Sequence, residues 1–175
     1  MDGNQIIESV RGWTSTPIIV ISARSMEKDK ALALDSGADD YITKPFGTIE
    51  LLARIRAALR HTRTTSENGE IALMGQYHVG ALTIDYAAGC AYLGGEELRL
   101  TPIEYRLLCL LAQNVGKVLT HKYITQHIWG VGWENNIGSL RVFMATLRKK
   151  LETGPDSPSY IQTHIGVGYR MIKLD

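Results

Sequence analysis

The chain has 175 residues, of which 45% are hydrophobic and 21% charged, and its formal net charge is +1. This is ordinary composition for one large or two small globular domains, and the lack of an apolar run of about 18 residues predicts no transmembrane helix. The N-terminus lacks the basic start and apolar core of a signal peptide, so we expect a cytoplasmic protein. The near-zero net charge gives no argument for a nucleic-acid partner, which must rest on where the charges lie. Cys90 and Cys109 have no metal-binding or redox spacing.

Helices and strands alternate in the first third of the chain. Residues 17–22 (PIIVIS) predict a strand buried on both faces, and residues 40–43 predict a second strand. A helix is expected over residues 27–36, and a last helix begins with Thr48 as its cap. The apolar stripe of that last helix comprises Leu51, Leu52, Ile55 and Leu59. The order helix, strand, helix, strand, helix predicts part of a doubly wound parallel α/β sheet.

A polar stretch without hydrophobic periodicity, residues 62–71, predicts a flexible linker. It separates a first domain over residues 1–61 from a second over residues 72–175. The second domain opens with strand-like runs over residues 77–85, 88–93 and 97–100, and the last two flank Gly94-Gly95 and predict a hairpin.

Three helices and a hairpin complete the second domain. The first helix begins at Thr101, with a proline in its first turn, and the others are expected over residues 120–129 and 135–152. Strand-like runs on both sides of residues 166–168 (GVG) predict a terminal hairpin. This glycine pair is not a nucleotide-binding loop, because no helix follows it.

The helix over residues 135–152 has two different faces. One narrow apolar face predicts packing on a core and comprises Leu140, Phe143, Met144, Leu147 and Leu151. The other face carries small or apolar side chains with cations at its edge: Gly138, Arg141, Val142, Ala145, Thr146, Arg148 and Lys149. Such a face suits a DNA groove, where bulky side chains would clash with the DNA and cations can contact phosphates. The alternative is the solvated side of an ordinary amphipathic helix.

Sheet, three helices and hairpin follow one another in the order of a winged helix-turn-helix domain, an α+β fold. The segments LTPIEYRLLCLL, FMATLRKKLE and IGVGYR resemble the effector domain of OmpR/PhoB-family response regulators, and the whole chain is most similar to the KdpE-like group. The resemblance implies a sequence-specific transcription regulator of a two-component phosphorelay that controls a potassium-transport operon. Its implied partners are double-stranded promoter DNA and RNA polymerase.

In that fold the third helix enters the major groove, and the hairpin reaches the minor groove or the backbone. The expected DNA contacts are Thr101, Arg141, Val142, Ala145, Thr146, Arg148, Lys149 and Arg170. Arg141 and Thr146 are candidates to read bases, and the two small apolar residues of this set can touch thymine methyl groups. Arg148 is expected at phosphate or base edges, and Arg170 at the minor groove or a phosphate. Thr101 can donate to a phosphate at a helix N-terminus, the alternative being simple N-capping.

The first third resembles the C-terminal half of a receiver domain in the segments TPIIVISARS, SGADDYITKPF and ELLARIRAALR. Ser22, Tyr41 and Lys44 match the switch residues of that family. The match implies that Ser22 and Lys44 supply a hydroxyl and a cation to phosphoryl oxygens, while the Tyr41 ring moves inward. Taken singly, Ser22 is equally compatible with a strand-end cap, Tyr41 with a core aromatic residue and Lys44 with a surface charge.

The family's phosphorylated Asp and the acidic pair that holds Mg²⁺ lie on earlier strands that this sequence does not contain. We therefore expect no cofactor, no metal and no phosphoacceptor in the chain as it stands. A sensor histidine kinase is expected as a partner only if a full-length form exists. The receiver remnant should leave apolar surface uncovered, so that it is unstable alone or covered by a second copy.

The resemblance also implies a dimer through the receiver remnant. The matching cross-subunit ion pairs are Lys30 with Glu50, Asp39 with Arg56, and Asp40 with Arg54. The alternative is that these are solvated surface charges, since exposed pairs contribute only about 0–1 kcal/mol.

Two functions stay open at this point. The chain is either a DNA-binding regulator that lacks its own phosphoacceptor, or a truncated partner that pairs with an intact regulator and modulates it. The dimer would be a homodimer in the first case and a heterodimer in the second. No arrangement of catalytic residues supports an enzyme.

Overall fold

The structure is a computed structural model that describes residues 2–14, 16–67, 75–132 and 136–174, with the backbone alone for residues 60–67. The chain forms two compact units, Met1–Ser66 and Glu67–Asp175. Within the described ranges, no helix has the length and apolar character needed to cross a membrane.

The first unit has the predicted order of helix, strand, helix, strand, helix. Its elements are α1 (Gly3–Arg11), β1 (Ile19–Ser22), α2 (Glu27–Asp35), β2 (Asp40–Thr43) and α3 (Thr48–Glu67). The two strands are parallel, with Ile19 opposite Asp40 and Ser22 opposite Thr43. Gly37 follows α2 with a φ of 112°, a conformation that favours glycine at the end of a helix.

The structure corrects two predictions about α3. Thr48 is its first helical residue rather than its cap, and the helix continues through Glu67 into the stretch predicted as a linker over residues 62–71. Residues 68–74, which include the end of that predicted linker, lie outside the described part of the chain. Polarity without an apolar stripe does not prevent a helix from continuing, because most residues in this stretch have acceptable helix propensity.

Much of the apolar surface of the first unit is exposed. The stripe predicted to bury α3 is largely exposed at Leu52, Ile55 and Leu59, and the helix buries Ala57 instead. Nine of the fourteen exposed large apolar side chains among the described residues belong to this unit, including Ile21 on β1. An apolar surface of this extent is unusual for a unit that folds alone.

We expect trypsin to digest the first unit before the second. The first unit offers exposed sites at Arg24, Lys28 and Arg56 over a small core, and the second offers comparable exposed sites at Lys122 and Lys149 over a larger one. Local unfolding should therefore expose the first unit more often. Mass spectrometry of a digestion time course measures this order, and a receiver remnant that survives as long as the second unit would contradict the expectation.

The second unit opens with a four-stranded antiparallel sheet in sequential order. Its strands are β3 (Gln76–Val79), β4 (Leu82–Asp85), β5 (Cys90–Leu93) and β6 (Glu96–Glu97). The predicted hairpin at Gly94-Gly95 joins β5 to β6. Residues 77–85, predicted as one strand-like run, are instead two strands joined by a turn in which Gly80 has a φ of 56°.

The helices of the second unit are α4 (Pro102–Gln113), α5 (His121–Trp129) and α6 (Ile137–Leu151). A three-stranded sheet packs beside them in the order β7-β9-β8, formed by β7 (Leu119–Thr120), β8 (Ile161–His164) and β9 (Gly168–Met171). The sequence did not predict β7, because two residues show no periodicity. We call the β8–β9 hairpin the wing.

Candidate nucleic-acid interface

The burial of side chains in α6 agrees with the two faces predicted from its sequence. The five residues of the predicted apolar face are all buried: Leu140, Phe143, Met144, Leu147 and Leu151. On the opposite side, Gly138, Arg141, Ala145 and Lys149 are exposed, and Val142 and Thr146 are partly exposed. Five apolar anchors fix the rotation of the helix, so this outer face is held towards solvent.

The outer face of α6 combines small side chains with cations. The Thr146 hydroxyl donates to the Val142 carbonyl at 3.1 Å, so this side chain lies against the helix and adds little bulk. Neither α6 nor the wing contains an Asp or a Glu. A surface with this shape and charge can approach a polyanion without repulsion.

Arg148 connects α6 to the wing. Its Nε donates to the Ile161 carbonyl at 3.1 Å, and its Nη2 donates to the Thr163 hydroxyl at 2.6 Å. The guanidinium also lies over the Tyr169 ring, with Cζ 5.7 Å from the ring centroid. The sequence predicts Arg148 at phosphate or base edges. The structure gives Arg148 a fixed position between helix and wing, and its contact with DNA stays a prediction that requires these bonds to be shared or exchanged.

The N-terminus of α4 is closed by its own side chains. The Thr101 amide donates to the Glu104 carboxylate at 2.8 Å, and the Glu104 amide donates to the Thr101 hydroxyl at 3.3 Å. Glu104 is only 2% exposed and pairs with Lys150 of α6 at 2.6 Å. This geometry shows that Thr101 caps α4, with its amide engaged and a carboxylate beside it, and the phosphate contact of Thr101 stays a prediction.

His121 begins α5 beside the outer face of α6. Its ring meets the Tyr169 ring edge-on, with centroids 5.6 Å apart. Burial and the nearby Arg141 guanidinium lower the pKa of His121. The ring is therefore mostly neutral at neutral pH, and Arg141 supplies the positive charge at this point.

The wing has a polar side and an apolar tip. Arg170 and Gln162 are opposite each other in the strand register, and the Arg170 guanidinium donates to the Gln162 amide oxygen. The tip, Ile165-Gly166-Val167, is closed by a hydrogen bond from the Val167 amide to the His164 carbonyl at 2.9 Å. This confirms a hairpin turn at the glycine pair.

The receiver switch residues lie together at the carboxyl ends of the two parallel strands. The Lys44 amide donates to the Ser22 carbonyl at 2.8 Å. Tyr41 is buried, and its hydroxyl donates to the Arg24 carbonyl at 2.9 Å. The Ser22 hydroxyl accepts from the Arg24 amide at 3.1 Å, and the Lys44 side chain is exposed. Within the described residues, no group of three His, Cys, Asp or Glu side chains is arranged to hold a metal.

Four of the six predicted dimer residues form ion pairs within one chain. Arg54 binds Asp40 at 2.8 Å and Glu50 at 2.8 Å. Burial raises the pKa of Asp40, and the Arg54 guanidinium opposes this effect. Asp39 is buried and binds Arg11 at 2.6 Å. A cross-subunit pair between Asp39 and Arg56 would therefore share the carboxylate with Arg11, a neighbour that matching to the family did not identify.

Four residues of this interface have roles that the sequence reasoning missed. Lys150 holds α6 to the cap of α4, and Thr163 and Tyr169 receive the Arg148 side chain. Ile165 forms the apolar wing tip. Only Ile165 had a signal in the sequence, an apolar residue immediately before a glycine turn in a hairpin.

A helix pair, a third helix with an acid-free cationic face, and a wing clamped to that helix define a winged helix-turn-helix DNA-binding protein. Residues 95–171 match the family "Transcriptional regulatory protein, C terminal", and residues 1–56 match "Response regulator receiver domain". The chain belongs to the OmpR/PhoB family of two-component response regulators.

Individual relatives agree with both halves of this assignment. The chain is 45% identical over 172 residues to the KDP operon transcriptional regulatory protein KdpE of Escherichia coli, covering 98% of this chain and 74% of that protein. A RitR mutant structure has a TM-score of 0.76 at 28% identity and covers 99% of this chain and 75% of that one. The DNA-binding domain of Klebsiella pneumoniae RstA, solved in complex with the RstA box, has a TM-score of 0.50 at 29% identity. The match covers 55% of this chain and 96% of that one. This chain is thus a KdpE-like response regulator with a DNA-binding effector domain.

Proposed function

We propose that this chain regulates transcription by binding promoter DNA, with α6 in the major groove and the wing beside it. The exposed outer face of α6 carries this proposal. Arg141, Ala145 and Thr146 lie on a face that five buried anchors keep open to solvent. Lys149 is exposed at the C-terminal end of the same face and is suited to a phosphate.

The name of the Escherichia coli relative, a KDP operon regulatory protein, supports control of a KDP-type operon, and the RstA complex supports duplex DNA as the ligand class. By resemblance this operon would serve potassium transport. In this proposal the protein works in the cytoplasm beside RNA polymerase and has no enzymatic activity of its own. A sensor kinase would act only on a form that carries the family's phosphoacceptor.

A dimer through the receiver remnant is part of the proposal. Lys30 of one chain would face Glu50 of the other, and the Asp40–Arg54 bond would be exchanged between chains. Glu50 is exposed and Lys30 is partly exposed, so both are accessible. The exposed apolar side chains of α3 would add contact area around these charges.

Fluorescence anisotropy with the full chain tests this proposal. We expect tight binding to a duplex from the KDP-type promoter region, weaker binding to a scrambled duplex of the same composition, and two chains bound per pair of half-sites. Thr146→Ala should reduce the preference for the promoter duplex by about tenfold while leaving binding to scrambled DNA unchanged, because a base contact is lost and phosphate contacts remain.

Lys149→Ala is the matched comparison on the same face. It should weaken binding to both duplexes alike and make the dependence on salt shallower, as expected for a phosphate contact. Equal losses on both duplexes from Thr146→Ala would refute its role in sequence recognition. No binding to any promoter duplex, together with stable pairing to a full-length relative, would favour the truncated-partner function instead.

A further inference from the structure

The tip of the wing is apolar and almost fully exposed. Ile165 is 93% exposed, which makes it the most exposed large apolar side chain of the described residues, and Val167 beside it is also exposed. Gly166 between them has a φ of 74°, as the tight turn requires. The exposed fraction of Ile165 leaves it no role in the core of this unit.

The tip is nevertheless held in one place. The wing strand β9 pairs with β7 on its other edge, and Arg148 ties β8 to the outer face of α6 through two hydrogen bonds. A two-stranded hairpin is marginally stable alone, but this one is fixed on both sides. The positions of Ile165 and α6 are therefore coupled, as an extended DNA-reading surface requires.

Arg170 lies too far behind the tip of the wing to be the first side chain that enters a groove. It lies two residue pairs behind the His164–Gly168 pair at the end of the ribbon, or about 7 Å at the usual rise of a strand. Its guanidinium is bound to Gln162, on the face of the ribbon opposite to the one that Arg148 contacts. The large exposed side chain at the tip of the wing is that of Ile165.

We infer that Ile165 is the residue of the wing that enters the DNA minor groove, where it makes an apolar contact with sugars and base edges. This inference rests on the proposed DNA binding. The occupant is DNA because Arg148 of α6 bonds to Thr163, two residues before the tip, and because α6 and the wing together contain no acidic residue that would repel phosphates. Apolar side chains that enter the minor groove part the stacked bases most easily at flexible pyrimidine–purine steps.

This contact has a distinctive signature. A cation bound to phosphate releases counterions, so its loss makes binding less dependent on salt. An apolar contact releases none, so its loss lowers affinity at every salt concentration by the same factor. Sequence preference at the wing position should follow the deformability of the base step rather than a hydrogen-bond pattern.

The test compares the unsubstituted chain with four variants, one of them Lys149→Ala as described above, on one promoter duplex over a series of potassium chloride concentrations. Ile165→Ser should bind about tenfold more weakly than the unsubstituted chain, in line with the loss of one buried aliphatic contact, with an unchanged salt slope. Ile165→Arg should recover affinity and steepen the slope by about one unit. Val131→Ser removes an equally aliphatic side chain, 87% exposed in the α5–α6 loop, and should change nothing.

Circular dichroism should show native folding for all variants, because the substituted side chains are exposed. Unchanged affinity for Ile165→Ser, in a chain that Lys149→Ala weakens, would overturn this inference and leave the proposed function standing. A shallower salt slope for Ile165→Ser would overturn it too. Failure of the unsubstituted chain to bind any duplex would overturn both.

Discussion

Gly168→Ala should strain the pairing of β9 with β7 and thereby destabilise the whole second unit. A Cβ at this position would lie 1.8 Å from the Leu119 carbonyl oxygen and 2.9 Å from the Thr120 Cα. These are backbone atoms of the paired strand β7, so the clash is relieved only by separating β7 from β9. Overpacking of this kind costs about 1–3 kcal/mol, and each lost ladder hydrogen bond adds about 1 kcal/mol.

Differential scanning calorimetry of the full chain measures this effect. For a unit of this size we expect the melting temperature of the second unit to fall by on the order of 10 °C. Gly166→Ala is the matched control, because its Cβ would meet nothing within 4 Å and only the positive φ of 74° opposes it. That substitution should cost about 1 kcal/mol. Equal shifts for the two alanines would contradict the close approach of β7 and β9.

Arg148→Ala should weaken binding to every DNA sequence by about tenfold or more. Its side chain makes two hydrogen bonds to the wing and lies over the Tyr169 ring, so its removal releases the wing from α6. Hydrogen bonds of a charged group contribute about 1.5–3 kcal/mol each when buried, and less at this partly exposed site. A wing with more freedom must be ordered again when DNA binds, which lowers affinity.

Arg148→Lys separates the clamp from a phosphate contact. Lysine keeps the charge but cannot form the forked pair of hydrogen bonds that a guanidinium makes. If Arg148 acts as the clamp, the lysine variant should bind DNA nearly as weakly as the alanine variant, and the salt dependence of both should match that of the unsubstituted chain. An Arg148→Lys protein that binds normally would show that Arg148 contributes its charge alone. Anisotropy at several salt concentrations distinguishes the two results.

The periodic parts of the chain were predictable. The core face of α6, the capping box at Thr101 and the order of elements in the first unit follow from local pattern, because burial and capping depend on neighbours in sequence. The short strand β7 and the turn at Gly80 did not follow, since two residues and one glycine carry too little pattern.

Pairings between residues distant in the chain could not be predicted from the sequence. Arg148 and Lys150 are cations two residues apart in α6, yet one binds the wing and the other binds Glu104 near the start of α4. Nothing in the run RKK distinguishes them, because the difference arises from the direction in which each side chain leaves the helix. Likewise, the bond between Arg11 and Asp39 joins residues of one chain that no local pattern connects.

Leu119 and Thr120 give the second unit a cooperative character that its separate elements would lack. These two residues pair with Tyr169 and Gly168 of the wing, and the Thr120 hydroxyl also accepts the Tyr123 amide to cap α5. Opening this joint would therefore release a helix end and a strand edge at the same moment. The wing cannot fray while the helix pair stays intact, so amides in β9 should exchange with solvent at rates close to those of the core helices rather than those of a loose hairpin.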